Sequence, residues 1–327
     1  MSEGEKQPKS IEEQLDILMG RGIVIANDSE YDKAYNHVKK VGYYKLINGY
    51  KKLFIDTFEC KSQNIIESYK EGTSVSEIYS LYYFDSELRE IMLRHILPVE
   101  THIKSLLALT ISQHYGNDNY LRYQNFDTSR KGADKIIPDI IGDIYRQISA
   151  RSSDPCIKHY LTEYGFLPIW VLNNILTFGQ MSNLFRMLKQ SDRSEVAREF
   201  KIQDSMLEDI LRNLSTVRNI SAHGNRLYCM RSKRPLMDTP VHANLKIDRL
   251  PGEYKYGKRD LFSSFIALKY LLSNNEYDKF MKEITKALHS LSRHLRTIDI
   301  HDVKEEMGLP SNWHDIRKKD IKYSKVE

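Results

Sequence analysis

The chain has 327 residues, 41% hydrophobic and 28% charged, with a formal net charge of +5, enough to bury a core unaided and too apolar for a disordered chain. No apolar run approaches the roughly 20 residues a membrane-spanning helix needs, and the first ten residues carry Glu3, Glu5, Lys6 and Lys9 without the apolar stretch of a secretion signal, so a cytoplasmic protein with no membrane partner is expected. Cys60, Cys156 and Cys229 are odd in number and lack Cys-x-x-Cys spacing, and the eleven histidines include no His-Glu-x-x-His; neither a disulfide framework, a metal site nor a cofactor is expected.

Apolar residues recur at spacings of three and four nearly throughout, so the expected fold class is all-α. Ser10 with Glu13 forms a capping box that opens a short helix through Ile11, Leu15 and Leu18, closed by Gly20 and Gly22. A second helix covers about 31–41. It leads into Gly42-Tyr43-Tyr44-Lys45-Leu46-Ile47-Asn48-Gly49-Tyr50, an aromatic and basic segment. From about 74 to 114 a long helical run carries Ile78, Leu81, Leu88, Ile91, Met92, Ile96, Val99, Ile103, Leu107 and Ile111 on one stripe, with Pro98 expected to kink or interrupt it. Residues 115–134 read as loop, and 136–148 as helix. Pro168-Ile169-Trp170 opens a helix expected to run to about Phe178, followed by helical turns at 184–188 and 196–200. A helix beginning near Asp204 or Ser205 turns Leu207, Ile210, Leu211, Leu214 and Val217 toward the core. Beyond it, Pro235, Pro240 and Pro251 argue for an irregular connection that holds a small hairpin, before two last helices at 260–272 and 277–295.

The net charge has an address. Residues 226–260 hold nine basic side chains against four acidic ones, the basic set including Arg226, Arg231, Lys233 and Arg234. Such a stretch is either a solvated loop or a polyanion-binding surface, which brings in RNA as a partner. Directly before it stands Arg218-Asn219-Ile220-Ser221-Ala222-His223-Gly224-Asn225-Arg226. RNA is cut without a metal when one group takes the proton of the 2′-OH, another protonates the leaving 5′-oxygen, and a cation stabilises the crowded phosphorus. Imidazole, with an unperturbed pKa of about 6.5, suits the first two tasks, and the arginine fork suits the third. Asn219 and His223, four apart, share a helix face; Arg218 lies about 140° round the axis from His223. Spacing alone is weak: Arg89 with His95 and Arg296 with His301 match it as well, and roughly two chance matches are expected from composition. Arg218–His223 stands out because polar residues crowd the end of a core-facing helix and lead into the basic stretch. Such a cluster is either a catalytic group or a buried cap network.

Arg218-Asn219-x-x-Ala222-His223-x-x-Arg226 resembles the hallmark of the Abi family of abortive-infection proteins, of the AbiD and AbiF-like group, placed in the HEPN superfamily of ribonucleases. Other blocks follow in the same order: Arg21-Gly22 with Gly42-Tyr43-Tyr44-Lys45-Leu46-x-x-Gly49-Tyr50, Phe84-Asp85-x-x-Leu88-Arg89 with Val99-Glu100, Pro168-x-Trp170 with Thr177-Phe178-Gly179-x-Met181-Ser182, and Gly308-x-Pro310-x-x-Trp313. The likeness spans about residues 10–313. Lys104 departs from it where an arginine is usual, and Asn174 where an acidic residue is usual. The resemblance implies an N-terminal helical subdomain (1–73), a HEPN-like helical bundle (74–313) and a polar tail (314–327). It implies a metal-independent endoribonuclease toxin with Arg218, Asn219 and His223 as catalytic residues, a homodimer that brings two histidines together, and a small non-coding RNA as antitoxin.

Arg226, Arg231, Lys233, Arg234 and Lys45 are the candidate RNA-binding residues, and Asp85, Arg89 and Glu100 the candidate supports that tie the central helix to Arg218. Tyr43, Tyr44 and Tyr50 among their lysines are either core or a stacking platform for single-stranded RNA. Trp170 is expected to pack in the core, as are His95, His102 and His114. The competing functional reading is a non-catalytic RNA-binding module that sequesters a small RNA or a translation component. Under it, charge reversal at Arg231, Lys233 and Arg234 matters and His223→Ala does not.

Overall fold

A 41-residue helix organises the molecule. The computed structural model describes residues 8–62 and 67–322; the start of the charged amino terminus and the end of the polar tail read above lie outside the described residues. The chain enters through α1 (Ile11–Met19), α2 (Asp28–Val41), a wide turn at Tyr44–Asn48 and α3 (Thr57–Ser62), then runs into α4 (Val75–Tyr115). α5 (Ala133–Ala150), α6 (Pro155–Glu163), α7 (Ile169–Ile175), α8 (Phe178–Met187), α9 (Gln190–Glu199) and α10 (Asp204–Ala222) follow. After an irregular connection holding α11 (Pro240–Asn244), the chain closes with α12 (Phe262–Leu271), α13 (Asn274–Ser292) and α14 (Ile300–Met307). The expected hairpin is two short antiparallel strands, β1 (Arg249–Leu250) and β2 (Glu253–Tyr254), with Arg249 opposite Tyr254. Among the described residues this is an all-α protein, and no helix is long and apolar enough to cross a membrane.

Helix α4 spans about 60 Å at 1.5 Å per residue and packs against α2, α7, α8, α9, α10 and α13. Nearly every turn of it buries an aliphatic side chain, from Ile78 to Ile111, each contributing on the order of 1.5–3 kcal/mol. That burial explains why the helix does not break at Pro98, as its sequence suggested. Pro98 deprives the Arg94 carbonyl of its helical partner on an exposed face of the turn, while the buried opposite face holds the turn in place. Helix α12 is buried along its whole length. Its Ser263 and Ser264 hydroxyls donate back to the carbonyls of Asp260 and Leu261 at 2.6 Å, and Asn213 of α10 donates to Ser263 Oγ at 2.8 Å.

Three expectations change at the next level. The helix opened by Pro168 ends at Ile175, because Thr177 and Gln180 form a capping box that starts α8 afresh. Trp170 is 44% exposed and not a core residue. His95 is buried against Glu283 (3.1 Å), whereas His102 and His114 stay exposed near carboxylates.

The irregular connection is held by a histidine. His242 is fully buried and stacked on Tyr254; its Nδ1 accepts from the Thr239 N–H (3.1 Å), which leaves Nε2–H to donate to the Gly257 carbonyl (3.0 Å). Only the neutral ring makes both bonds, and burial holds its pKa below the ordinary histidine value. A base with a depressed folded pKa costs stability as pH falls through its unfolded value, about 6.5, toward the folded one. The urea midpoint should therefore drop between pH 7 and pH 5. His242→Gln should weaken the protein at pH 7 and flatten that pH dependence; an unchanged slope would show that His242 is not its source.

Candidate nucleic-acid cleavage site

The apolar stripe of α10 ends at Val217, and the chain then alternates between the α4 side and solvent. Arg218 is half-buried against α4, where its Nε lies 3.5 Å from Oε2 of Glu100. These two atoms are buried and form no aligned hydrogen bond, so the contact is one of charge. The other oxygen of Glu100 takes Lys104 Nζ at 2.9 Å. Lys104 also donates to the Leu176 carbonyl at 2.7 Å, while Asn173 donates to the Lys104 carbonyl at 2.7 Å. The lysine that departs from the family pattern thus joins Glu100 to α7. Asn174, the second departure, is exposed and donates to the Trp170 carbonyl at 3.3 Å.

Asn219 and His223 are exposed, and among the described residues neither side chain makes a hydrogen bond or ion pair. His223 caps the C-terminus of α10, and its N–H bonds to the Asn219 carbonyl at 3.1 Å. Gly224 follows with φ +65°, a left-handed turn that a side chain strains to adopt. Lys45 Nζ stands 3.6 Å from where a Cβ on Gly224 would lie, so the exposed Lys45 borders the motif. Arg226 is exposed and donates to the Gly49 carbonyl at 2.6 Å, which fastens the motif's end to the aromatic and basic segment. The structure thus places Lys45 and Arg226 beside the end of α10 that carries the exposed Asn219 and His223, while Arg218 turns toward Glu100 on α4.

Asp85 fixes the path of the chain just beyond. It is fully buried and accepts from Tyr50 Oη (2.7 Å), Arg89 Nη1 (2.6 Å) and the backbone N–H groups of Leu227 (3.1 Å) and Tyr228 (2.7 Å). Burial pushes its carboxyl up from the ordinary value, and these donors pull against that shift. Arg89 also reaches the Asn225 carbonyl at 3.4 Å. Burial beside Asp85 raises the Tyr50 phenol as well, so it stays a neutral donor. Of the three tyrosines in question, Tyr50 is core, Tyr43 is half-buried and Tyr44 is 81% exposed. The resemblance pointed to Asp85 and Arg89 as ties to Arg218, but they hold the chain at Asn225, Leu227 and Tyr228 instead, and Glu100 is the support that reaches Arg218. Nothing in the sequence signalled that Tyr50 and the backbone of 227–228 complete the hub.

The basic stretch is less free than its charge count implied. Arg231 donates to the Glu306 carbonyl at 2.8 Å and lies 3.8 Å from its carboxylate. Lys255 pairs with Glu305, Arg259 with Glu253, and both Arg249 and Lys258 with Asp238. Lys233 and Arg234 are exposed and have no ion pair among the described residues. No three His, Cys, Asp or Glu side chains among the described residues form a group able to hold a metal ion.

The described chain is all-helical, and a buried ionic scaffold presents an exposed Asn–His helix end beside Lys45 and Arg226. Residues 36–229, more than half of the chain, match the family of Abi-like proteins, and the chain belongs to that family. The matched span contains Lys45, Asp85, Arg89, Glu100 and the whole motif from Arg218 to Arg226, and it excludes Arg231, Lys233 and Arg234. Membership points to a part in abortive-infection defence. No curated protein and no solved structure matches the chain.

Proposed function

We propose that the chain is an endoribonuclease toxin of an abortive-infection system, of the AbiD and AbiF-like group within the HEPN superfamily, with Arg218, Asn219 and His223 as its catalytic residues. The observation that carries this reading is the exposure of Asn219 and His223 at a helix end that a buried scaffold fixes in place. The 2′-oxygen attacks phosphorus as imidazole takes its proton, the bond to the 5′-oxygen breaks, and that oxygen leaves protonated. The products are a 2′,3′-cyclic phosphate and a 5′-hydroxyl. Arg218, whose Nε lies against Glu100, supplies the guanidinium for phosphate oxygens. Lys45 and Arg226 receive the flanking phosphates, with Lys233 and Arg234 further along the strand. Acid and base by imidazole require two histidines and each chain brings one, so the working form is a homodimer, and a small non-coding RNA is the antitoxin partner.

The test is direct. Purified protein should cut RNA in the presence of EDTA and leave those ends. Mixing excess His223→Ala protein with wild type should lower activity per wild-type subunit, because mixed dimers hold an incomplete site. Ends of the opposite chemistry, or binding without cutting that depends on Arg231, Lys233 and Arg234, would sink the proposal.

A further inference from the structure

Three adjoining cavities line the face of α4 turned away from the motif. At 100° per residue, Tyr79, Tyr83 and Glu87 lie about 120–200° round α4 from Asp85, so they belong to a different surface from Arg218 and His223. The first cavity, about 420 Å³, sits between α2, the start of α4 and the end of α13. It is bordered by Lys33, Arg293, Arg296, His37 and His294. Neither Lys33, Arg293 nor Arg296 has an ion pair among the described residues, and all three are exposed. The two carboxylates there are already committed: Glu77 accepts from Arg296 N, Thr297 N and Thr297 Oγ1 at 2.8–2.9 Å, and Glu30 accepts from Ala26 N at 2.8 Å. The imidazole of His37 stacks on Tyr79 at 3.7 Å.

The second cavity, about 310 Å³, shares Tyr79, Ser80 and His294 with the first and continues over Tyr83, Phe84 and Leu291. It is aromatic and aliphatic, and Tyr83 is 62% exposed. The third, about 290 Å³, shares Tyr83 and Glu87 with the second and is bordered by Glu90, Lys286, and Glu283, which pairs with Arg94 at 3.0 Å. The groove thus begins cationic, becomes aromatic and ends in a mixed-charge stretch. Glu87 and Glu90, which have no ion pair among the described residues, are the acceptors past the rings. A ligand with one anionic end, one flat ring system and polar hydrogens beyond fits this order, and the first two volumes lie in the range of roughly 300–1,000 Å³ usual for small-ligand sites.

We propose that this groove is a second binding site, separate from the cleavage site, that takes a single nucleoside phosphate: phosphate among Lys33, Arg293 and Arg296, base against Tyr79 and Tyr83, and sugar or amino hydrogens toward Glu87. The same chemistry comes from a free nucleotide or from the 5′-phosphorylated terminal nucleotide of an RNA.

Full-length His223→Ala protein makes the test independent of the nuclease reading. By calorimetry, adenosine 5′-monophosphate should bind at least tenfold more tightly than adenosine or inorganic phosphate. Arg293→Glu should weaken it at least tenfold, and Lys33→Ala, a milder exposed change, several-fold. Tyr83→Ser should weaken the nucleotide and leave inorganic phosphate unchanged. An RNA 5′ end as the natural source predicts that a 5′-phosphorylated decamer binds more tightly than its 5′-hydroxyl twin, with the same dependence on Arg293; a free nucleotide predicts no difference between the two decamers. The site is refuted if the nucleotide does not bind at millimolar concentration, binds Arg293→Glu as well as wild type, or binds no better than phosphate.

Discussion

His223→Ala should lower RNA cleavage by about 10²–10⁴-fold, the range that a general acid or base supplies, and abolish growth arrest, while the folded state stays as stable as wild type. The second half follows from the geometry. His223 is exposed, and its side chain holds nothing in place among the described residues, so its removal falls among surface changes within about 0.5 kcal/mol. Arg218→Ala should lose cleavage too, but with a cost in stability, because it strips a half-buried cation from the 5% exposed Glu100 and leaves only Lys104 to balance it. Growth curves, RNA end sequencing and melting curves on the two variants separate catalysis from scaffold. Full toxicity in a well-folded His223→Ala protein would end the nuclease reading.

The elements that could be read from sequence are those whose determinants are local. The core-facing stripe of α10 and the polar residues that end it lie within one stretch of chain, as does the capping box of α1. Two missed boundaries had local signals as well: Asp154-Pro155 at the start of α6, and the Thr177–Gln180 pair that begins α8. What stayed hidden depends on residues distant in the chain. The basic stretch looked like a free cationic surface because Glu305 and Glu306, which engage Lys255 and Arg231, arrive from α14. Pro98 read as a kink or an interruption because its cost is visible in sequence, while the packing of α4 against six other helices is not. Trp170 shows the reverse case: a tryptophan between apolar neighbours reads as core, yet Ile169, Val171 and Leu172 take the buried side of that short helix.

Asp85→Ala should be among the most damaging single substitutions in the protein. One carboxylate there satisfies the Tyr50 hydroxyl, the Arg89 guanidinium and the N–H groups of Leu227 and Tyr228. Removing it leaves Arg89, 6% exposed, as a buried charge without its partner, a defect that costs about 3–5 kcal/mol, and strands several buried donors besides. Tyr50→Phe removes one neutral donor and should cost only about 1 kcal/mol. Asp85→Asn keeps an acceptor but not the charge and should fall between the two. Because Tyr50 and Asp85 share one network, the double variant Tyr50→Phe with Asp85→Ala should be less damaged than the two single effects predict together. Cleavage should fall along with folding, since the segment that leaves the motif is tied down at Leu227 and Tyr228. Chemical denaturation of the four variants measures the series, and an Asp85→Ala protein as stable as Tyr50→Phe would show that this carboxylate is not the anchor of the motif's far end.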